Sequence, residues 1–194
     1  MVVIDLALVA GIVSYMWVVA NVPAYLNLTP ERKSEIRMLV ADNLSSVDTI
    51  GERIPAPVLF FHNARATVVF LLLGLVSFGT LGLALFIGNI ALVGAVLGAA
   101  QLVDYSPLLA FTAGILPHGI FELSAIFLAT AAMLKTGAQL VTPQGDKSLG
   151  EMLLVSLADW FRIFVGLVLP MLAIAALIEI YVTPLLIKLA FPYL

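Results

Sequence analysis

Long apolar stretches alternate with shorter polar segments along the chain. The first three stretches are Val2 to Ala20, Val58 to Phe86 and Ile87 to Val103. The fourth and fifth are Leu108 to Leu134 and Ile163 to Val182. Because about 20 apolar residues cross the hydrocarbon core of a bilayer as a helix, this pattern predicts about five spanning helices in an all-α fold.

The composition points to the same class of protein. Of the 194 residues, 62% are hydrophobic and 11% are charged, which is far more apolar than a soluble domain. We therefore expect a multi-pass protein of the cell membrane, with the lipid bilayer around a single integral membrane domain over residues 1–194. The absence of cysteine excludes disulfides, thiolate ligands and a cysteine nucleophile. The net charge of -3 and the lack of a basic stripe argue against a nucleic-acid partner.

Polar connections between the stretches carry their own helix signals. The main hydrophilic connection covers about residues 21–57, and its Thr29-Pro30-Glu31 segment predicts an N-cap followed by an amphipathic helix. In a later connection, Ser148-Leu149-Gly150-Glu151 fits a capping box that opens another largely apolar helix. The apolar C-terminal tail, about residues 185–194, is too short to cross the membrane.

Glycines in the third stretch permit close approach of helix backbones. Gly94 and Gly98 form a GxxxG motif. Such spacing can mediate a homodimer, but in a multi-span protein it more often packs helices of the same chain. We expect packing within the chain, and the homodimer stays open at this point.

A single acid stands in the fourth apolar stretch. Glu122 is the one formally charged side chain between Leu108 and Leu134. Hydrocarbon disfavours an ionised carboxylate by roughly 2.5 to 3.5 kcal/mol, so Glu122 must face protein, water or a bound ion. Because proline and glycine interrupt helices, Pro117 and Gly119 predict a broken or re-entrant helix just before this acid.

Two geometries are compatible with the length of this stretch. Its 27 residues would measure about 40 Å as one helix, which exceeds the roughly 30 Å hydrocarbon core. It forms either one kinked, tilted span or a re-entrant pair that turns at residues 117–119. The re-entrant pair would place eight of the nine basic residues on one side, whereas continuous crossings separate five from three. Because basic residues gather on the cytoplasmic side, charge bias favours re-entry.

His118 and Glu122 form a candidate intramembrane polar site. On a continuing helix they are four residues apart, so they can hydrogen-bond or both ligate a divalent metal ion. Three interpretations stay open: a structural polar network, a path for an ion, proton or substrate, and a metal site. No other cofactor is expected, and no HExxH or phosphate-binding glycine loop indicates an enzyme. The supporting polar candidates are His62, Asn63, Glu179 and Thr183.

Three short motifs follow one another along the chain. They are Phe61-His62-Asn63-Ala64, Leu116-Pro117-His118-Gly119-Ile120-Phe121-Glu122 and Glu179-Ile180-Tyr181-Val182-Thr183-Pro184. In this order the motifs resemble the stage II sporulation protein M family of integral membrane proteins, and the Pro-His-Gly-x-x-Glu element is the specific part. The positions that this resemblance carries over as candidates are Asn63, Pro117, His118, Gly119, Glu122, Glu179, Thr183 and Pro184.

The resemblance implies assembly and not catalysis. In endospore formers the founding member is a membrane component that holds cell-wall-degrading partners during engulfment. Relatives also occur in cells that do not sporulate, so that role itself is not carried over. We expect a noncatalytic membrane scaffold or assembly protein with membrane or envelope protein partners. The alternative is a small transporter or channel that uses the His118 and Glu122 polar site, with a cation bound there.

Overall fold

The computed structural model describes residues 2–45, 55–142 and 148–191 of the protein. These residues form helices and no β-strand: α1 (Val2–Leu26), α2 (Pro30–Ser45), α3 (Ala56–Val76), α4 (Thr80–Leu102), α5 (Pro107–Val141) and α6 (Leu149–Ala190). All of these helices except α2 are long and apolar enough to cross a membrane. The predicted all-α fold with five spanning helices is therefore confirmed for the described part of the chain.

The chain divides into two compact units. The first contains Met1–Pro55, Ile87–His118 and Leu177–Leu194. The second contains Ala56–Phe86 and Gly119–Ala176. Each unit has its own internal packing and is described separately below.

In the first unit, glycines bring the backbones of α1 and α4 together. A Cβ added at Gly94 would lie 2.7 Å from the carbonyl carbon of Gly11 and 3.0 Å from its Cα. A Cβ at Gly98 would lie 3.0 Å from the Tyr15 carbonyl oxygen and from the Val18 side chain. The GxxxG motif thus packs helices within the chain, as the sequence predicted.

In the second unit, Met133 is at the centre of one buried cluster. Its side chain is 1% exposed and fills the space left by Gly74 and Gly82, because a Cβ at either glycine would overlap the Met133 side chain. The other buried members of this cluster are Leu71, Ala132 and Trp160. A second cluster in the same unit consists of Ala125, Ala129, Val168 and Leu172.

The turn between α3 and α4 lies inside a stretch that we predicted to be one helix. We placed the boundary between the second and third spans at residues 86 and 87, and the structure places it at residues 77–79. Phe78 and Gly79 have φ of +51° and +98°, and the Gly79 N–H donates to the Gly74 carbonyl at 2.6 Å. This bond closes α3 in the manner of a Schellman motif. The boundary was missed because apolar residues flank the turn on both sides.

Both helix starts that the sequence predicted in the connections are confirmed. The Thr29 hydroxyl oxygen accepts from the Arg32 N–H at 3.3 Å at the start of α2. Ser148 and Glu151 form a reciprocal capping box at the start of α6. The helix that this box opens continues without a break through the predicted fifth span to Ala190, so it includes residues 185–190 of the predicted tail.

The fourth predicted span continues as a helix through Pro117 and Gly119. A π-helical segment, Ala110–Ile115, precedes Pro117, and the Leu116 N–H donates to the Phe111 carbonyl five residues back. A proline lacks an N–H and its ring crowds the carbonyl four residues before it. The wider turn adds a residue at that point, so the irregularity is accommodated without a break. The predicted break and re-entrant geometry are therefore wrong, and the continuous alternative is confirmed.

The same arrangement occurs twice in α6. The N–H of Leu169, before Pro170, donates to Phe164, and the N–H of Thr183, before Pro184, donates to Ile178. In each case the donor immediately precedes a proline and the bond reaches five residues back. π-helical turns of this kind allow prolines inside long helices and often mark functional sites.

Candidate functional site

In the second unit, Glu122 on α5 has a polar partner on α3. The Asn63 side-chain amide donates to Glu122 Oε1 at 3.1 Å. Thr67, which is 1% exposed, donates its hydroxyl to the Asn63 carbonyl oxygen at 2.9 Å. His62, the residue before Asn63 on α3, is exposed. The lone acid of this stretch therefore has a protein partner in Asn63, which offsets part of the cost of placing it inside an apolar region.

In the first unit, His118 on α5 meets the end of α6. His118 Nδ1 and the Thr183 hydroxyl oxygen lie at hydrogen-bond distance, 3.2 Å. A ring nitrogen of His118 and a carboxylate oxygen of Glu179 lie within 4.8 Å of each other. Glu179 belongs to the π-helical segment Ile178–Val182 and Thr183 follows it directly, so this wide turn brings both the Thr183 hydroxyl and the Glu179 carboxylate to the neighbourhood of the imidazole.

His118 and Glu122 belong to the same uninterrupted helical stretch, Leu116–Val141. Residues four apart in an α-helix lie on one face, about one turn from each other. The local geometry that the sequence predicted for a continuing helix is therefore present. The roles of these two residues stay predictions.

Pro117 and Gly119 have a different structural role from the one predicted. Pro117 is the second residue of the regular α-helical stretch, and Gly119 is buried within it. Neither residue ends the helix. Pro117 follows a π-helical turn and directly precedes His118, whereas Pro184 follows a π-helical turn and is directly preceded by Thr183.

The donor set is chemically suited to a divalent cation. Imidazole nitrogen and carboxylate oxygen are ligands that zinc and several transition metals accept. His118 and Glu179 supply one of each within the first unit, and Glu122 is one helical turn from His118. The sequence interpretation named His118 and Glu122 as metal ligands with Glu179 in support, and that interpretation stays a prediction.

Sequence reasoning missed Thr67 and the π-helical turns. Thr67 is four residues after Asn63 on α3, so helical spacing was the signal that could have found it. The signal for each wide turn was a proline within or just after an apolar stretch, and at Pro117 that stretch was also too long for one simple span. We interpreted that signal at Pro117 as a break, because a proline alone does not reveal whether the helix resumes.

Comparison with known proteins agrees with the order of motifs. The family model described as stage II sporulation protein M matches residues 4–184. An uncharacterized protein of Methanocaldococcus jannaschii is 34% identical over 130 residues, which cover 66% of this chain and 70% of that protein. No solved structure is significantly similar to the chain. The match of the family model over nearly all of a five-span helical protein shows that the chain belongs to the stage II sporulation protein M family of membrane proteins.

Proposed function

We propose that this protein is a noncatalytic scaffold of the cell membrane, which assembles with other membrane or envelope proteins. The observation that carries this proposal is that ionisable side chains on α5 are held by neutral polar partners on other helices. Asn63 on α3 donates to Glu122, and Thr183 on α6 lies at hydrogen-bond distance from His118. Such bonds fix the packing of helices within each unit, which suits a protein that presents a constant surface to partners.

The surroundings of His118 support the absence of catalysis. A general base needs a nucleophile that a substrate can approach. The hydroxyl beside His118 belongs to Thr183, whose side chain is only 5% exposed. The Thr183 hydroxyl is therefore a buried structural contact of the half-buried His118 and not a nucleophile that a substrate can approach.

Helix α1 offers a surface for partners within the membrane. Its apolar side chains are widely exposed on the chain itself, so lipid or another helix covers them in the bilayer. The large apolar side chains of α1 that are at least half exposed are those of Val2, Leu6, Leu8, Val9, Ile12, Val13, Met16, Trp17 and Leu26. A scaffold would use such a face to hold the helix of a second membrane protein.

The second candidate function is a cation-coupled transporter or channel. The proximity of Glu179 to His118 favours it, because an imidazole and a carboxylate within 4.8 Å can share a proton or a cation. In this alternative the charge of Glu122 would be needed for transport.

Glu122→Gln separates the two candidate functions. The glutamine oxygen can still accept from Asn63, so a scaffold should migrate in the same native complex as wild type, whereas a cation-coupled path should lose its flux in reconstituted vesicles. Glu35→Gln, on the exposed face of α2, removes the same charge as a control. If wild-type vesicles carry a flux that only Glu122→Gln abolishes, the transporter replaces the scaffold. If wild type leaves native membranes without any partner and carries no flux, the scaffold proposal fails.

A further inference from the structure

The first unit contains a polar cavity at the ends of its spanning helices. The cavity has a volume of about 460 Å³ and is lined by Leu28, Pro30, Lys33, Ser34, Arg37 and Asp104. Leu28 follows the end of α1, and Asp104 lies between the end of α4 and the start of α5. Because α1 and α4 are about as long as a bilayer-crossing helix needs to be, we expect the cavity at their ends to lie near the level of the lipid headgroups.

The face of α2 that lines this cavity is basic. Lys33 and Arg37 are four residues apart and share that face, together with Ser34. At about 100° per residue, Glu31 and Glu35 project from a different side of α2, and neither lines the cavity. The helix therefore directs positive charge toward the cavity although its overall composition is mixed.

The two basic side chains of this face have different partners. Lys33 Nζ lies 3.8 Å from an Asp104 carboxylate oxygen, so its charge is partly balanced. The Arg37 guanidinium lies over the Tyr105 ring, 5.1 Å from the ring centre, and Tyr105 in turn packs edge-on against Phe191 at 5.3 Å. Among the side chains that the structure describes, no carboxylate lies within salt-bridge distance of Arg37. The stacking on Tyr105 orients the planar Arg37 cation at the edge of the cavity.

Arg32, the third basic residue of α2, stabilises the end of α1. Its guanidinium donates to the Leu26 carbonyl at 2.8 Å and so provides a hydrogen bond to one of the last carbonyls of that helix. Asn27 has φ of +46° and the Leu28 N–H donates to the Pro23 carbonyl at 3.2 Å, which completes that helix end. These bonds fix the start of α2 beside the end of α1 and so form one wall of the cavity.

An apolar groove lies on the same unit. Its volume is about 440 Å³, and it is bounded by α1, α4 and the first turn of α5, including Gly11, Gly94 and Phe111. Pro107 and Leu108 line the groove and are three and four residues from Asp104 in the cavity wall. A charged cavity at headgroup level with an apolar groove nearby in the spanning region matches a molecule that has a phosphate and an acyl chain.

We propose that the cavity formed by Lys33, Ser34 and Arg37 binds the phosphate of an anionic phospholipid headgroup. Arg37 contacts the phosphate with its planar fork of N–H donors, and Lys33 contributes a second positive charge. Asp104 competes with the phosphate for Lys33. Acyl chains lie along the apolar groove, which is why a phospholipid fits better than free phosphate.

Lipid binding by the purified full chain tests this proposal, with native mass spectrometry as the readout. We expect wild type to retain dioleoyl phosphatidylglycerol in preference to dioleoyl phosphatidylcholine. Arg37→Gln should weaken that binding roughly fivefold, the factor that corresponds to one basic residue at a membrane surface. Arg162→Gln, an exposed arginine in the second unit, removes the same charge as a matched control and should leave the binding unchanged.

Asp104→Asn gives a result of opposite sign. Removing this carboxylate releases Lys33, and asparagine tolerates the φ of +63° found at this position, so anionic lipid should bind several-fold more tightly. A misfolded variant would not show such a gain. Equal retention of both lipids, or equal effects of Arg37→Gln and Arg162→Gln, would overturn the proposal. Displacement of the lipid by millimolar inorganic phosphate would show a phosphate site that needs no acyl chain, and this result would overturn the lipid assignment.

Discussion

Gly94→Ala tests the close packing of α1 on α4. The added Cβ would lie 2.7 Å from the Gly11 carbonyl carbon, whereas carbon atoms in contact are normally about 3.5 to 4.0 Å apart. The two helices must therefore separate by about 1 Å at this point. The atoms that the Cβ meets belong to backbone, so no side-chain rotation can relieve the overlap.

Gly88→Ala is the matched control, because Gly88 is on the same helix and its Cβ would meet nothing within 4 Å. Both changes add the same intrinsic helix propensity, about 1 kcal/mol, which cancels when the variants are compared. The remaining difference is the cost of overpacking. We therefore expect the free energy of unfolding of Gly94→Ala to be about 1 to 3 kcal/mol lower than that of Gly88→Ala.

Reversible unfolding in mixed micelles, followed by circular dichroism, measures this difference. The unfolding midpoint should not depend on protein concentration, because the contact lies within one chain. If Gly94→Ala is as stable as Gly88→Ala, this result contradicts the close contact between α1 and α4 at Gly94. If the difference appears only at high protein concentration, the GxxxG motif mediates a homodimer instead.

Three smaller perturbations test the polar contacts. Asn63→Leu leaves the Glu122 carboxylate without its amide donor and should lower the free energy of unfolding by about 1 to 3 kcal/mol; an unchanged stability would contradict this bond. Ser148→Ala removes the capping box of α6 and should cost about 1 kcal/mol in the same assay; no loss would contradict the cap. The pKa of Glu31 lies below its usual range because its own backbone N–H and then the Thr29 hydroxyl stabilise the carboxylate. The stabilisation of the folded state by the ionised Glu31 is therefore present above the unfolded-state pKa and is lost as pH falls through the folded-state pKa. Carbon-13 NMR titration should show a higher Glu31 midpoint in Thr29→Val, and an unchanged midpoint would exclude the hydroxyl as a cause.

The sequence named the polar residues of the candidate site but not which of them contact one another. The cost of an acid in hydrocarbon identified Glu122, and helical spacing placed His118 on the same face. That Asn63 donates to Glu122 while Thr183 meets His118 depends on packing between helices far apart in the chain. No local pattern contains that information, although the order of motifs supplied the same residues as candidates.

The sequence by itself determined the features that depend on local chemistry. Apolar length determined the five spans, and short polar segments determined the caps at Thr29 and Ser148, because a cap bonds to backbone within three residues. Only the tertiary structure decided that α5 continues through Pro117 and that Gly94 meets Gly11. A proline permits either a break or a wide turn, and a glycine permits either an intrachain or an interchain contact. The choice between such alternatives depends on what packs against the helix, and that is a property of the folded chain.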